Sequence, residues 1–210
     1  MLANPSTLNT AFTQPASNEQ IERTALALEA NGIHTLIVEN GEQARKLFFE
    51  LVPEGAQVHQ GASATLEALG ITAEIETSGR FQAIRPRLRS LDRATQGDEI
   101  RRLGASPDYM VGSVNAVTEN GRVVVASAVG GQLGAYAAGA GKVVWVVGAQ
   151  KIVANLDEAF RRIEEHVYPL ENERTQKAYN IQTSLNKLLI INKERPGRIT
   201  MILVKEPLGF

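Results

Sequence analysis

Apolar residues return at helical spacing at Ile21, Ala25 and Leu28, behind Ser17 and Gln20 in capping-box spacing. Gly32 then stands where a helix of that length must end. The run from Ile33 to Val38 reads as a strand, Asn40-Gly41 as a turn, and 42–51 as a second helix that stops before Pro53. A short strand over 56–59 leads into Gln60-Gly61-Ala62-Ser63-Ala64-Thr65, followed by a short helix that ends at Gly70. The run from Ile71 to Ile75 is apolar enough to be expected as a further strand. Strands that alternate with helices in this way indicate a parallel α/β fold.

The second half is richer in strands. Val114–Thr118 and Arg122–Ala126 flank Asn120-Gly121, the strongest two-residue hairpin signal. A Gly- and Ala-rich stretch, 130–141, precedes Lys142–Val147, whose continuous β-branched character fits a strand buried on both faces. Asn155 and Glu158 cap a helix with Leu156, Ala159, Phe160 and Ile163 on its inner face. Leu188–Ile191 and Ile199–Val204 bracket Arg195-Pro196-Gly197, which is read as a second hairpin. Residues 1–17, polar and holding Pro5 and Pro15, are expected to be a flexible arm before one domain over 18–210, with no internal repeat or dividing linker.

Composition narrows the chemistry. The 210 residues hold no cysteine, which excludes disulfides, thiolate catalysis and any zinc site or iron–sulfur cluster built on Cys of this chain. Lys and Arg number 22 against 23 Asp and Glu, so the basic excess of a nucleic-acid binder is missing. The longest apolar run, Val143–Val147, is far short of a membrane span, and no Lys or Arg precedes Arg23 to start a signal peptide. A cytoplasmic location is the expectation. His34, His59 and His166 lack ligand spacing, and no metal is assigned to them. His34 and His59 fall in strands, while His166 is expected at a helix end, against the dipole.

Four features carry candidate chemistry. The unit around Gly61, Ser63 and Thr65 offers bare backbone, two hydroxyls and a helix start, which suits a phosphate or carboxylate; the plainer alternative is that Ser63 only caps the helix. No lysine follows as in a Walker loop. Gly130, Gly131 and Gly134 either wrap a ligand or let the alanines after them pack closely. Glu119, in Thr118-Glu119-Asn120-Gly121, is either an acyl-accepting nucleophile or a solvated turn acid. The segment Arg80–Arg102 holds seven arginines against Asp92, Asp98 and Glu99, a net +4, and fits a phosphate grip, a solvated helix face or a subunit contact.

Three ordered motifs resemble a known family. Gly61-Ala62-Ser63-Ala64-Thr65-Leu66-Glu67 with Gly70-Ile71 is similar to the first signature of the LUD domain, the lactate-utilisation proteins. Gly112-Ser113-Val114-Asn115-Ala116-Val117-Thr118 with Asn120-Gly121 is similar to the second. Val143–Gly148, Lys151-Ile152-Val153 and Leu156, Glu158, Ala159, Arg162 and Ile163 are similar to the third. The resemblance implies a fold like that of ribose 5-phosphate isomerase and the coenzyme A transferases, an open and mostly parallel sheet flanked by helices. It also implies lactate oxidation to pyruvate in company with iron–sulfur partner proteins.

That superfamily often has a lysine near its ligand, where Lys151 stands, and the resemblance adds Asn115 to the ligand-binding set. The acidic pair of the sugar-phosphate isomerases is missing, since Val111-Gly112-Ser113-Val114-Asn115 occupies its place. The coenzyme A transferases carry a nucleophilic glutamate in Ser-Glu-Asn-Gly, which Thr118–Gly121 resembles. The expected role is an accessory subunit binding a small phosphate- or carboxylate-bearing metabolite, with no covalent cofactor. An acyl or coenzyme A transferase using Glu119 on a coenzyme A ester, with a homodimer supplying the second domain, is the alternative. A non-catalytic assembly scaffold is the third.

Overall fold

The computed structural model describes residues 8–210. A 3₁₀ turn at Thr10–Thr13 comes first, then α1 (Asn18–Ala30), β1 (His34–Val38), α2 (Gly41–Leu51), β2 (Gln57–Gln60), α3 (Ala64–Ala68) and α4 (Ile71–Thr77). Next are β3 (Gln82–Ala83), α5 (Ile84–Ser90), α6 (Gly97–Ala105), β4 (Tyr109–Gly112), β5 (Ala116–Thr118) and β6 (Val123–Ser127). The chain ends with β7 (Lys142–Gly148), β8 (Ile152–Val153), α7 (Leu156–Arg162), α8 (Tyr168–Tyr179), β9 (Lys187–Ile191) and β10 (Ile199–Val204). Two π-helical turns, Ala135–Gly139 and Ile163–Val167, precede β7 and α8.

Six strands make one sheet in the order β1-β10-β7-β4-β2-β3, every neighbouring pair parallel. A second sheet has the order β8-β5-β6-β9 and is mixed, with β5–β6 the hairpin around Asn120-Gly121. Gly121 turns there with φ +78°. This is the expected α/β architecture.

The alternation of side chains along β7 shows how the layers assemble. Val143, Trp145 and Val147 enter a core with α1 (Ile21, Leu28) and the second sheet (Val117, Val123, Val125). Val144 and Val146 enter a core with α2 (Ala44, Phe48) and α4 (Ile71, Ile75). A third cluster packs Ala159 of α7 and Ile163 of the π-turn after it on the far face of the second sheet at Ala116 and Val124. Both faces of the large sheet are thus covered, as a parallel sheet requires.

Several expectations need correction. Ile71–Ile75 is helix, not strand: Gly70 (φ +66°) restarts the chain, and the two isoleucines, four residues apart, bury one face of α4. Leu188–Ile191 and Ile199–Val204 do not pair. The Arg195–Gly197 turn instead carries the chain from the edge of the mixed sheet to the interior of the parallel one. The buried run of β10 suits an interior strand, whereas β9 is largely exposed.

His166 is not at a helix end but buried in the second π-turn, with Nδ1 3.0 Å from Asn9 O. Of the expected N-terminal arm, residues 1–7 lie outside those described. Residues 8–16 are tied down: Asn9 N donates to Glu165 O (3.0 Å), its Nδ2 to Glu165 Oε2 (2.8 Å), and Ala16 N to Ala149 O (3.3 Å).

Arg198 fixes the Gly/Ala-rich segment. Its Nη2 donates to Tyr136 O (2.6 Å) and Ala137 O (3.3 Å), while its guanidinium pairs with a half-buried Glu194. Arg198→Met takes the donor from Glu194 Oε2 and from those carbonyls, leaving the carboxylate only the Arg195 N–H on Oε1 (2.7 Å). We expect it to lose about 2–3 kcal/mol of stability, read as a lower urea midpoint at constant m-value.

Candidate functional site

In open parallel sheets, ligands bind outside the carboxyl ends of the strands. At that edge β2 runs into Gly61, β4 into Ser113, and β7 into the 3₁₀ turn Ala149–Lys151. These ends open on a cleft of about 1080 Å³, with further walls from α5, α6, α8 and the 125–136 segment. Gly61, Ser63, Thr65, Asn115, Gly130, Gly131, Gly134 and Lys151 all line it. Residues from three separate motifs therefore meet at one place.

Lys151 forms the floor. Its side chain is buried at 2% exposure, and Nζ donates to Thr65 Oγ1 (3.1 Å) and Ser113 Oγ (3.0 Å). Among the described residues no carboxylate pairs with it. Burial first, and the positive charge of Arg162 second, hold its pKa well below the ordinary lysine range. Two hydroxyls are thus the amine's partners, the lowered pKa eases loss of its proton, and negative charge arriving in the cleft favours the charged form.

The hydroxyls and glycines have distinct tasks. Ser63 Oγ caps α3, accepting from Leu66 N (3.3 Å), and the same residue lines the cleft. Thr65 is almost wholly buried and donates to Leu208 O (3.2 Å), so it acts on the cleft through Lys151. Asn115 Oδ1 accepts from Ala126 N (2.7 Å), which steadies the edge of the hairpin. Gly130 needs its positive φ of 83°, and its N–H donates to Ser127 Oγ (2.9 Å). A side-chain carbon at Gly131 or Gly134 would meet nothing, and one at Gly61 only ordinary contact with Gln132. Packing inside the chain does not demand bareness at these three.

Other residues of the site escaped the sequence reading. Arg162 lies in the core behind the floor; its Nε donates to Gln150 O (3.3 Å), its Nη1 to Asn115 O, and its Nη2 has no partner. Burial lowers its pKa to about 10. A helical-face count from Ala159 and Ile163 places Arg162 beside them, and that was the available signal. Ser113, the second partner of Lys151, stood inside a quoted motif without a role. His59 is buried at the end of β2, where desolvation and then Arg85 lower its pKa to about 4; its Nδ1 has no partner. Arg85, Arg89, Arg93 and Arg101, from the arginine-rich segment, form part of the walls. Among the described residues no three His, Cys, Asp or Glu side chains gather as a metal site.

Glu119 is not brought to the cleft. It sits in a smaller hollow of about 460 Å³ with Gln20 and Arg161. Arg23 Nη2 (2.6 Å) and Nε (3.2 Å) and Gln20 Nε2 (3.0 Å) donate to its carboxylate. The Arg23 and Gln20 hydrogen bonds hold its pKa below the usual carboxylate value. The clamp joins α1 to the β5–β6 turn.

No helix among the described residues is long and apolar enough to cross a membrane. No curated protein matches the sequence. A DUF162 family protein from Deinococcus radiodurans, solved by crystallography at 1.70 Å, shares the fold with a TM-score of 0.53 at 13% identity. The match covers 90% of this chain and 99% of that one. The sequence profile of the LUD domain matches residues 21–208, which contain every residue of the cleft named above. The chain belongs to the LUD-domain family, that of the lactate-utilisation proteins.

Proposed function

We propose that the protein is an anion-binding subunit of a lactate-utilisation system, holding a short hydroxy or oxo carboxylate over Lys151. The observation that carries this reading is the floor itself: a buried lysine facing a cleft, given two hydroxyls for partners and no carboxylate. Leaving a buried amine without a counter-charge is costly to the free protein. An incoming carboxylate supplies that charge, and Arg162 behind the floor adds to the positive potential. Without cysteine, the chain offers no thiolate for an iron–sulfur cluster, so electrons from lactate oxidation belong to partner proteins. Glu119, clamped outside the cleft, is assigned to anchoring α1 rather than to acyl transfer.

Lys151→Met tests the floor. It removes the proton acceptor while filling similar space, so the ligand-free variant is expected to be at least as stable in urea. Lactate and pyruvate should bind at least about tenfold more weakly in calorimetry, as the loss of a charge-assisted hydrogen bond implies. If neither acid binds or raises the melting temperature of the unaltered protein, the scaffold reading takes the place of this one.

The depressed pKa of Lys151 also sets two pH dependences. The unfolded chain holds the lysine proton more tightly than the native one, so this group makes stability rise with pH toward the ordinary lysine range. A bound anion favours the charged form and raises this pKa. Where the pH lies between the free and liganded values, binding takes up a proton, seen as an enthalpy that varies with the ionisation enthalpy of the buffer, and affinity falls as pH rises. Lys151→Met should abolish the uptake.

Gly131→Ala and Gly134→Ala separate packing from ligand approach. Open space at both positions makes each variant as stable as the parent, to within about 0.5 kcal/mol. Weakened anion binding in these variants would place the ligand against this backbone. Unchanged binding would leave Lys151 and Ser113 as the contact surface.

A further inference from the structure

The cleft is far larger than a short acid needs. Lactate has six non-hydrogen atoms, and even at a water's share of about 30 Å³ each they fill less than about a fifth of it. The rest has its own chemistry. Among the described residues, five basic side chains line the cleft, Lys151 with Arg85, Arg89, Arg93 and Arg101, against one acidic side chain, Glu171. That carboxylate is taken by Arg174 through two hydrogen bonds of 2.7 Å.

The four arginines come from α5, α6 and the loop between them, so they form one wall. Arg85 and Arg89 share a single acid, Glu76, at 3.6 and 3.2 Å. Arg101 pairs only with its exposed neighbour Asp98, and Arg93 has no acid partner among the described residues. One wall thus offers more positive charge than its own acids or a single carboxylate can balance. The segment that fitted a phosphate grip, a solvated helix face or a subunit contact in sequence lines a cavity with four of its arginines.

Another part of the lining is aromatic and apolar. Tyr168 and Tyr179 come from α8, and Phe210 and Val129 also border the cleft. Val129 is 82% exposed and Tyr179 56%, so this apolar surface is left for water to cover. Aromatic faces of this kind stack on nucleobases, and arginine forks match phosphate oxygens.

We infer that the cleft takes a second, larger ligand part: a nucleoside diphosphate moiety, its phosphates on the Arg85–Arg101 wall and its base against Tyr168 and Tyr179. The moiety is common to ADP, to coenzyme A and to dinucleotides. This rests on the reading of Lys151 as the seat of a small carboxylate, and gives that carboxylate either a carrier or a co-substrate.

Calorimetric titration with ADP, coenzyme A, NAD, adenosine and pyruvate tests it. At least one of the three diphosphates should bind saturably, and the tightest of them identifies the source. Adenosine should bind at least about tenfold more weakly than ADP, since it lacks the charge. The double variant Arg89→Ala/Arg93→Ala alters exposed side chains and should fold as the parent does. It should weaken the diphosphate at least about tenfold while pyruvate stays within about twofold. Tyr179→Ala should weaken ADP several-fold and leave pyruvate unaffected.

Pyruvate binding without any diphosphate binding overturns this inference and leaves the proposed function intact. Diphosphate binding that ignores the arginine variants overturns it as well. If neither class binds, both readings fall.

Discussion

A primary amine removed from water must either meet a negative charge or give up its proton, and Lys151 has been given only hydroxyls. The surrounding structure makes that arrangement hold. β7 is buried on both faces, so the turn that follows it cannot swing the lysine out to solvent. Gln150, next to it, grips the C-terminal segment: its Nε2 donates to Leu208 O (2.9 Å) and Gly209 O (3.1 Å), and its Oε1 accepts from Leu208 N (3.2 Å). Leu208 O in turn receives the hydroxyl of Thr65. The floor of the cleft is thus held by the centre of the sheet and by the far end of the chain at once.

Much of the fold was legible because it rests on local chemistry. The caps at Ser17, Ser63 and Asn155 all form, each accepting a backbone N–H three residues on, while Asn40, read as part of a turn, caps α2 in the same way. The Asn120-Gly121 hairpin forms as its residues demand. The failures came where one pattern serves two structures. Ile71 and Ile75 suit a short strand or a helical face equally, and only contact with Phe48 and the sheet decides between them. The strand runs at Leu188 and Ile199 look like hairpin partners because the turn between them is real; which sheet each joins depends on partners that are distant in sequence.

The site divides in the same way. Glycines and hydroxyls advertised themselves by residue type and Lys151 through the family resemblance, and their meeting at one cleft follows from the parallel topology. The individual roles did not. Thr65 bonds both the lysine and Leu208 O, Ser63 also caps α3, and Asn115 also steadies a hairpin edge, contacts that residue type does not reveal. Glu119 matched a catalytic tetrapeptide in sequence, yet the hairpin points it at Arg23 and Gln20. Arg162 was hidden because a charged residue on a mostly apolar helix face reads as a surface position until burial is known.

The π-helical turn at Ile163–Val167 holds one residue more than an α-helix would use for the same hydrogen-bonded loop. Each residue of an α-helix advances about 100° around its axis. Were every residue here wound as regular α-helix instead, everything downstream would rotate by roughly that angle relative to α7, turning Tyr168 and Glu171 away from the cavity they now border. The surplus residue acts as a phase-shifter, setting the angle at which the last long helix faces the binding edge of the sheet.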